Sequence, residues 1–127
     1  MSVARTVLLM DDNVFVLDVL RAVLESAGFA VCTASTVREL EHQLLGCRPD
    51  LFVLDVQRPE MFGGDVAQVL RDVRAHTAPI VLYSGVETSA LAEHAREAGV
   101  DYVSKSEGPG ELVRRINVIL SGASPRE

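Results

Sequence analysis

Asp11, Asp12, Asp55, Ser84 and Lys105 are the residues of this chain whose types and spacing suit joint chemistry. Each stands at the end of a short apolar run. Val7 to Met10 leads into Asp11 and Asp12, Leu51 to Leu54 into Asp55, Ile80 to Tyr83 into Ser84, and Tyr102 to Ser104 into Lys105. Three carboxylates crowded together repel by roughly 4 kcal/mol per pair at about 4 Å and an effective dielectric near 20. Such a group wants a hard divalent cation, and an oxygen-only donor set favours Mg²⁺, with Mn²⁺ as its substitute. A carboxylate is also a nucleophile that can become an aspartyl-phosphate. Lys105 can neutralise a phosphoryl oxygen as a point charge, and Ser84 can donate a hydrogen bond to another. Singly these residues carry little: an Asp-Asp pair after a strand is more often a solvated turn or a helix cap. Together, in order at four different strand ends, they make a chance reading poor.

The elements that must position them are readable from periodicity. With Ala30 to Ala34 the apolar runs number five, and several are nearly continuous, as expected of strands covered on both faces. Helical patterns alternate with them. From Asn13 to Ala27, Val16, Leu20, Val23, Leu24 and Ala27 fall on one face, Asp18, Arg21 and Glu25 on the other, and Gly28 stops the helix. Thr36 with Glu39 makes a capping-box signature for a second helix ending near Gly46. A third is expected from about Asp65 to Arg74, and a fourth from about Thr88 to Ala98. The last pairs Leu112, Val113, Ile116, Ile119 and Leu120. This repetition predicts an α/β fold: a five-stranded parallel sheet, doubly wound, (βα)5 and flavodoxin-like, with its site at the carboxyl ends of the strands.

Composition bounds the rest. The 127 residues fit one domain, with residues 1–120 as its body and 121–127 as a tail or linker. A net charge of −6, no block of Lys and Arg and no Trp exclude a nucleic-acid surface. No run is long enough to span a bilayer and no cleavage pattern precedes the first strand, so a cytoplasmic location away from membranes is expected. Cys32 and Cys47 show no metal spacing and read as two reduced core thiols. His42, His76 and His94 read as solvated surface residues.

The segment from Asp50 through Asp55 to Pro59, Gly63 and Gly64 resembles the phosphoacceptor segment of response regulator receiver domains, of the chemotaxis-regulator-like kind. Leu8-Leu-Met-Asp-Asp12 is similar to that family's acidic pair, Val81-Leu-Tyr-Ser-Gly85 to its hydroxyl-bearing strand end, and Asp101-Tyr-Val-Ser-Lys105 to its lysine strand. The resemblance runs from about Thr6 to Leu120. It implies a signalling switch of a two-component phosphorelay, in which a histidine kinase or phosphotransfer protein supplies a phosphoryl group to Asp55 in a Mg²⁺-dependent reaction. Asp12 and Asp55 would then bind the metal directly with the Gln57 backbone carbonyl, and Asp11 mainly through a water. Ser84 and Lys105 would hold the phosphoryl group, and Ser84 with Tyr102 would form the switch. The implied domain catalyses only its own phosphorylation and dephosphorylation and passes the signal to a downstream protein.

Three rivals differ from this in kind. An aspartate-based phosphatase of the haloacid dehalogenase type needs a second Asp two residues after the nucleophile, where this chain has Gln57. A flavin-binding flavodoxin would set its cofactor phosphate among carboxylates. A degenerate receiver acting as a phosphorylation-independent binding module is opposed by the intact set of five residues. Two local features add expectations. On the first helix Val14 points to the polar side, while Phe15, Val19 and Ala22 widen the apolar stripe. Val14, Phe15 and Ala22 therefore suggest a kinase-docking surface, the alternative being Phe15 packed on the last helix. After Lys105 stands Ser106, where receivers usually carry proline. A cis bond before a non-proline residue costs about 2.5–4 kcal/mol, so Lys105–Ser106 is expected trans, with Gly108-Pro109-Gly110 making the turn into a last helix that begins no earlier than Glu107.

Overall fold

The computed structural model describes residues 5–54, 78–85, 93 and 101–121. Its five strands are β1 (Thr6–Met10), β2 (Ala30–Ala34), β3 (Leu51–Leu54), β4 (Ile80–Ser84) and β5 (Asp101–Ser104). All adjacent pairs are parallel, in the order β2-β1-β3-β4-β5. This is the doubly wound, flavodoxin-like arrangement expected from the sequence. Strand limits agree with the apolar runs to within one residue, because both faces of the sheet are covered and the runs are therefore almost unbroken.

Side chains alternate between two cores. Leu8, Phe52, Leu54, Ile80 and Leu82 pack on one face with Leu40 of α2 (Val37–Gly46). Val7, Leu9, Val53, Val81 and Val103 pack on the other with α1 (Val14–Ser26) and α3 (Gly108–Leu120). Burying each such Leu or Val contributes on the order of 1.5–3 kcal/mol. On α1 the buried face is Leu17, Leu20 and Leu24, a rotated version of the expected stripe: Leu17 is inside, while Ala27 is exposed as the C-cap. Two neighbouring apolar residues, Val16 and Leu17, left the phase of the helix open, and contact with the sheet decides it. The helix stops as expected at Gly28, with φ +99°. The Gly28 and Phe29 N–H groups donate to the carbonyls of Glu25 and Leu24, which closes the last turn.

The cap of α2 differs in detail from expectation. Thr36 Oγ1 accepts from the Glu39 N–H at 3.0 Å, but Glu39 reaches one residue further back, accepting from the Ser35 N–H at 2.7 Å and the Ser35 hydroxyl at 2.9 Å. Those bonds, the backbone one first, hold the Glu39 carboxyl below its ordinary range.

One expectation is overturned outright. Cys32 and Cys47 are not separate reduced thiols but a disulfide, with Cα atoms 7.2 Å apart. α2 runs back along β2, and its C-cap Cys47 comes beside Cys32 in the middle of that strand. A second correction concerns the loop after β5. The Lys105–Ser106 bond is trans, as expected. However, a 3-10 turn begins at once, over Lys105–Glu107, and α3 starts at Gly108. Gly108 alone takes a positive φ, +89°, and Pro109 and Gly110 lie inside the first turn of the helix instead of leading into it. What bends the chain is a capping box: Ser104 Oγ accepts from the Ser106 N–H at 3.2 Å, and Glu107 accepts from the Ser104 N–H at 3.0 Å. The sequence carries that signature as Ser104-Lys-Ser-Glu107. The expected third and fourth helices, Glu93 apart, lie outside the described residues.

Candidate functional site

β1 lies between β2 and β3, and its carboxyl end delivers Asp11 and Asp12. The Asp11 N–H donates to the Ala34 carbonyl at 3.2 Å, extending the β1–β2 ladder by one bond. Asp11 is buried, at 3% exposure. One of its oxygens accepts from the Asn13 N–H at 2.9 Å and the other from Lys105 Nζ at 3.1 Å. Asn13 in turn caps α1, its side chain accepting from the Phe15 N–H at 2.9 Å. Asp11 thus serves the turn into α1 and the contact with Lys105 at once. Asp12, next in the chain, is exposed.

Lys105 arrives from the far edge of the sheet. Its stem passes over Gly85, where an added Cβ would meet Lys105 Cδ at 4.0 Å, an ordinary contact. Its ammonium also lies 6.0 Å from the centre of the Tyr83 ring, which is itself buried. Tyr83 was not singled out from the sequence. Its position one residue before Ser84, on the face shared with Val103, was the available signal.

Ser84 is fully buried at the end of β4 and stands in register with Ser104. Strand alternation puts Ser84 on the same face as Leu82, and Tyr102 packs half-buried against the core on that face. Thus Asp11 and Lys105 meet directly, whereas Ser84 and Tyr102 share the opposite face of the sheet. On α1, Val14, Phe15 and Val19 are 55%, 78% and 56% exposed, and Ala22 is exposed as well. Phe15 therefore does not pack against the last helix. His42 is exposed, as expected; Asp55, Gln57, Pro59, Gly63, Gly64, His76 and His94 lie outside the described residues.

The donor set fits a hard cation. Asp12 offers an exposed carboxylate beside the buried one of Asp11, all oxygen, and a ligand such as Mg²⁺ needs only one or two carboxylates. Among the described residues no three acidic, His or Cys side chains converge on one point. No helix among the described residues is long and apolar enough to cross a membrane.

Comparison with known proteins agrees with this geometry. The model of the response regulator receiver domain family matches residues 7–117. The chain is similar to the transcriptional regulatory protein KdpE of Mycobacterium tuberculosis, 36% identical over 115 residues that cover 90% of this chain and 50% of that protein. It is 27% identical to the chemotaxis protein CheY of Thermotoga maritima over 117 residues, covering 91% and 97% of the two chains. Among solved structures, a response regulator receiver protein from Burkholderia phymatum superposes with a TM-score of 0.79 at 27% identity, covering 95% and 98%. The chain spans about half the length of the curated transcriptional regulators it matches. With the acidic pair, the lysine that meets it and the sheet order all in place, the chain belongs to the response regulator receiver domain family.

Proposed function

We propose that Asp55 is the phosphoacceptor, served by Asp11, Asp12, Ser84 and Lys105, and that a histidine kinase or phosphotransfer protein supplies the phosphoryl group. The observation that carries this is the Lys105–Asp11 ion pair at 3.1 Å, formed across the carboxyl edge of the sheet. Leu54, the residue before Asp55, pairs with Met10 of β1 and Leu82 of β4. That pairing of the preceding residue supports the reading, because β1 and β4 are the strands that lead into Asp11 and end at Ser84. Asp12, Asp55 and the Gln57 carbonyl would hold Mg²⁺, with Asp11 acting through a water. When bound, the metal neutralises charge on the incoming phosphoryl oxygens. The Asp55 carboxylate would attack phosphorus in line as the bond from phosphorus to the donor's histidine nitrogen breaks and the donor leaves as its free imidazole, while Lys105 leaves or shares its contact with Asp11 to meet a phosphoryl oxygen and Ser84 donates to another. Tyr102, on the face of Ser84, follows that hydroxyl and reports the change to the surface.

In this reading residues 1–120 form the domain and 121–127 a tail or linker, the protein works in the cytoplasm, and its output is a downstream protein rather than nucleic acid. The exposed Val14, Phe15 and Ala22 beside the Asn13 cap form the docking surface for the phosphodonor. The test is intact mass after incubation with acetyl phosphate and Mg²⁺. Wild type should gain one phosphoryl group and Asp55→Asn none. Equal labelling of the two proteins, or of neither, would sink the assignment.

A further inference from the structure

The amino end of the sheet, opposite the phosphoryl site, carries a second reactive pair of atoms. Cys32 lies in the middle of β2, an edge strand, and Cys47 is the C-cap of α2. Both are half-buried and both line an open groove of about 620 Å³, shared with Thr6, Ala30, His42 and Arg48. Thr6 and Ala30 are the first residues of β1 and β2, so the groove opens away from Asp11. A solute can therefore approach the sulfurs without crossing the phosphoryl site. Arg48 puts a cation on the same groove wall.

We propose that Cys32–Cys47 is a reversible thiol–disulfide site whose reaction partner is a dithiol, and that it fastens or frees the carboxyl end of α2. A thiolate of the dithiol attacks one sulfur. The Cys32–Cys47 bond breaks, a mixed disulfide forms, and the other cysteine leaves as a thiolate and takes a proton. The second thiol of the reductant then attacks the mixed disulfide, closing the reductant's own disulfide and releasing the remaining cysteine as a thiol. Two electrons and two protons pass to the protein, and the dithiol is oxidised. A permanent disulfide is rare where glutathione keeps thiols reduced, so a reversible one is the form compatible with a cytoplasmic receiver.

The consequence is local. The Cα separation of 7.2 Å lies just beyond the usual range for bridged pairs, about 4.4–6.8 Å, so the bond and the position of the helix end are coupled. The rest of α2 is held independently. Thr36 and Glu39 fix its start, and Gln43 Nε2 donates to the Thr33 carbonyl at 2.8 Å. Beyond the pair, the Asp50 N–H donates to the Thr6 carbonyl at 2.7 Å, and the Asp50 carboxylate accepts from the Thr6 N–H at 2.8 Å. Reduction thus frees the stretch between Gln43 and Asp50, which includes Leu45, already 85% exposed, while the carboxyl edge of the sheet stays in place. The switch acts on a surface distinct from the phosphoryl site and adds a second input to the domain.

The test uses the full chain, equilibrated with oxidised glutathione or with dithiothreitol, then alkylated with iodoacetamide without denaturation and weighed intact. The expected result is no alkylation after oxidation, two alkyl groups after dithiothreitol, and return to none on reoxidation. The melting temperature should fall by roughly 5–15 °C on reduction, for a cross-link of this loop length in a domain of this size. Amides 44–48 should exchange faster in the reduced protein, with Leu9 and Asp11 unchanged. Cys32→Ser and Cys47→Ser should each resemble the reduced protein and ignore dithiothreitol; chemical reduction of wild type gives the same readout if either variant fails to fold. Two alkylations or glutathione adducts after oxidation would show that the sulfurs do not pair. No alkylation after dithiothreitol would show a bond closed to reductants. Either result overturns the proposal.

Discussion

Asp11 shows how one carboxylate serves two ends. It accepts the Asn13 N–H that starts α1 and the Lys105 ammonium from across the sheet, and its burial makes both bonds matter. Lys105 has a flexible stem, so its direction depends on what lies beneath it. The Tyr83 ring, 6.0 Å from Nζ, supplies an attraction of about 0.5–1 kcal/mol, more where water is excluded. Tyr83→Leu is expected to slow phosphorylation by acetyl phosphate roughly 2–5-fold, while Tyr83→Phe, which keeps the ring, retains the wild-type rate. Time courses of intact mass measure both, and equal slowing would point to the phenol hydroxyl instead. Phe15 is the opposite kind of residue, large, apolar and 78% exposed. Phe15→Ala should shift stability by less than about 0.5 kcal/mol, as surface substitutions do. It should slow transfer from the cognate kinase about tenfold and leave acetyl phosphate labelling unchanged, if the residue anchors a partner helix. Parallel loss with both donors would return Phe15 to a structural role.

At the scale of elements, the caps mark where local sequence sufficed and where it did not. Gly28 ends α1 as read, because a residue with φ near +99° favours glycine wherever it occurs. The start of α2 is also local, yet Glu39 chose the Ser35 N–H and hydroxyl over the Thr36 N–H. That choice has a pH signature. The folded-state carboxyl sits below its ordinary value of 4.5, so its contribution is present above that pH and is lost as pH falls from there through the lowered folded value. The protection factors of amides 36–39, measured relative to intrinsic exchange at each pH, should therefore fall in wild type as pH drops below the ordinary value of 4.5. Glu39→Gln should show lower protection already at pH 7 and no further loss of it as pH falls. An identical profile for the two proteins would show that the Glu39 bonds do not hold the helix start. In the loop after β5 the Ser104–Glu107 box bends the chain ahead of Gly108-Pro109-Gly110, which therefore lies in the first turn of the helix.

For the molecule as a whole, the parallel sheet brings the strand ends that carry Asp11, Asp12, Ser84 and Lys105 to one edge, and a metal at that edge should tie the fold to the chemistry. Because Mg²⁺ binds the folded site and not the dispersed carboxylates of the unfolded chain, a concentration a hundredfold above its dissociation constant should add about 2.7 kcal/mol. In a domain of this size that is on the order of 10 °C in melting temperature. Asp12→Ala should abolish the response, and a wild-type protein whose melting point ignores saturating Mg²⁺ would contradict the site. The sequence by itself determined the strand and helix order, because unbroken apolar runs and helical stripes are local patterns that a covered sheet requires. It also determined the acidic pair, Ser84 and Lys105 as candidates, since strand ends can be read without knowing which strands are neighbours. What only the tertiary structure decided were the relations between distant elements. Leu17 rather than Ala27 faces the core, because the sheet sets the rotation of α1. Phe15 stays in solvent because the contact between α1 and α3 passes it by. Ser84 and Tyr102 share one face of the sheet, while the Asp11–Lys105 pair sits with Tyr83 across from them. Cys32 meets Cys47 because α2 runs back along β2. Sequence separation says nothing about such meetings; register, crossover and helix length do.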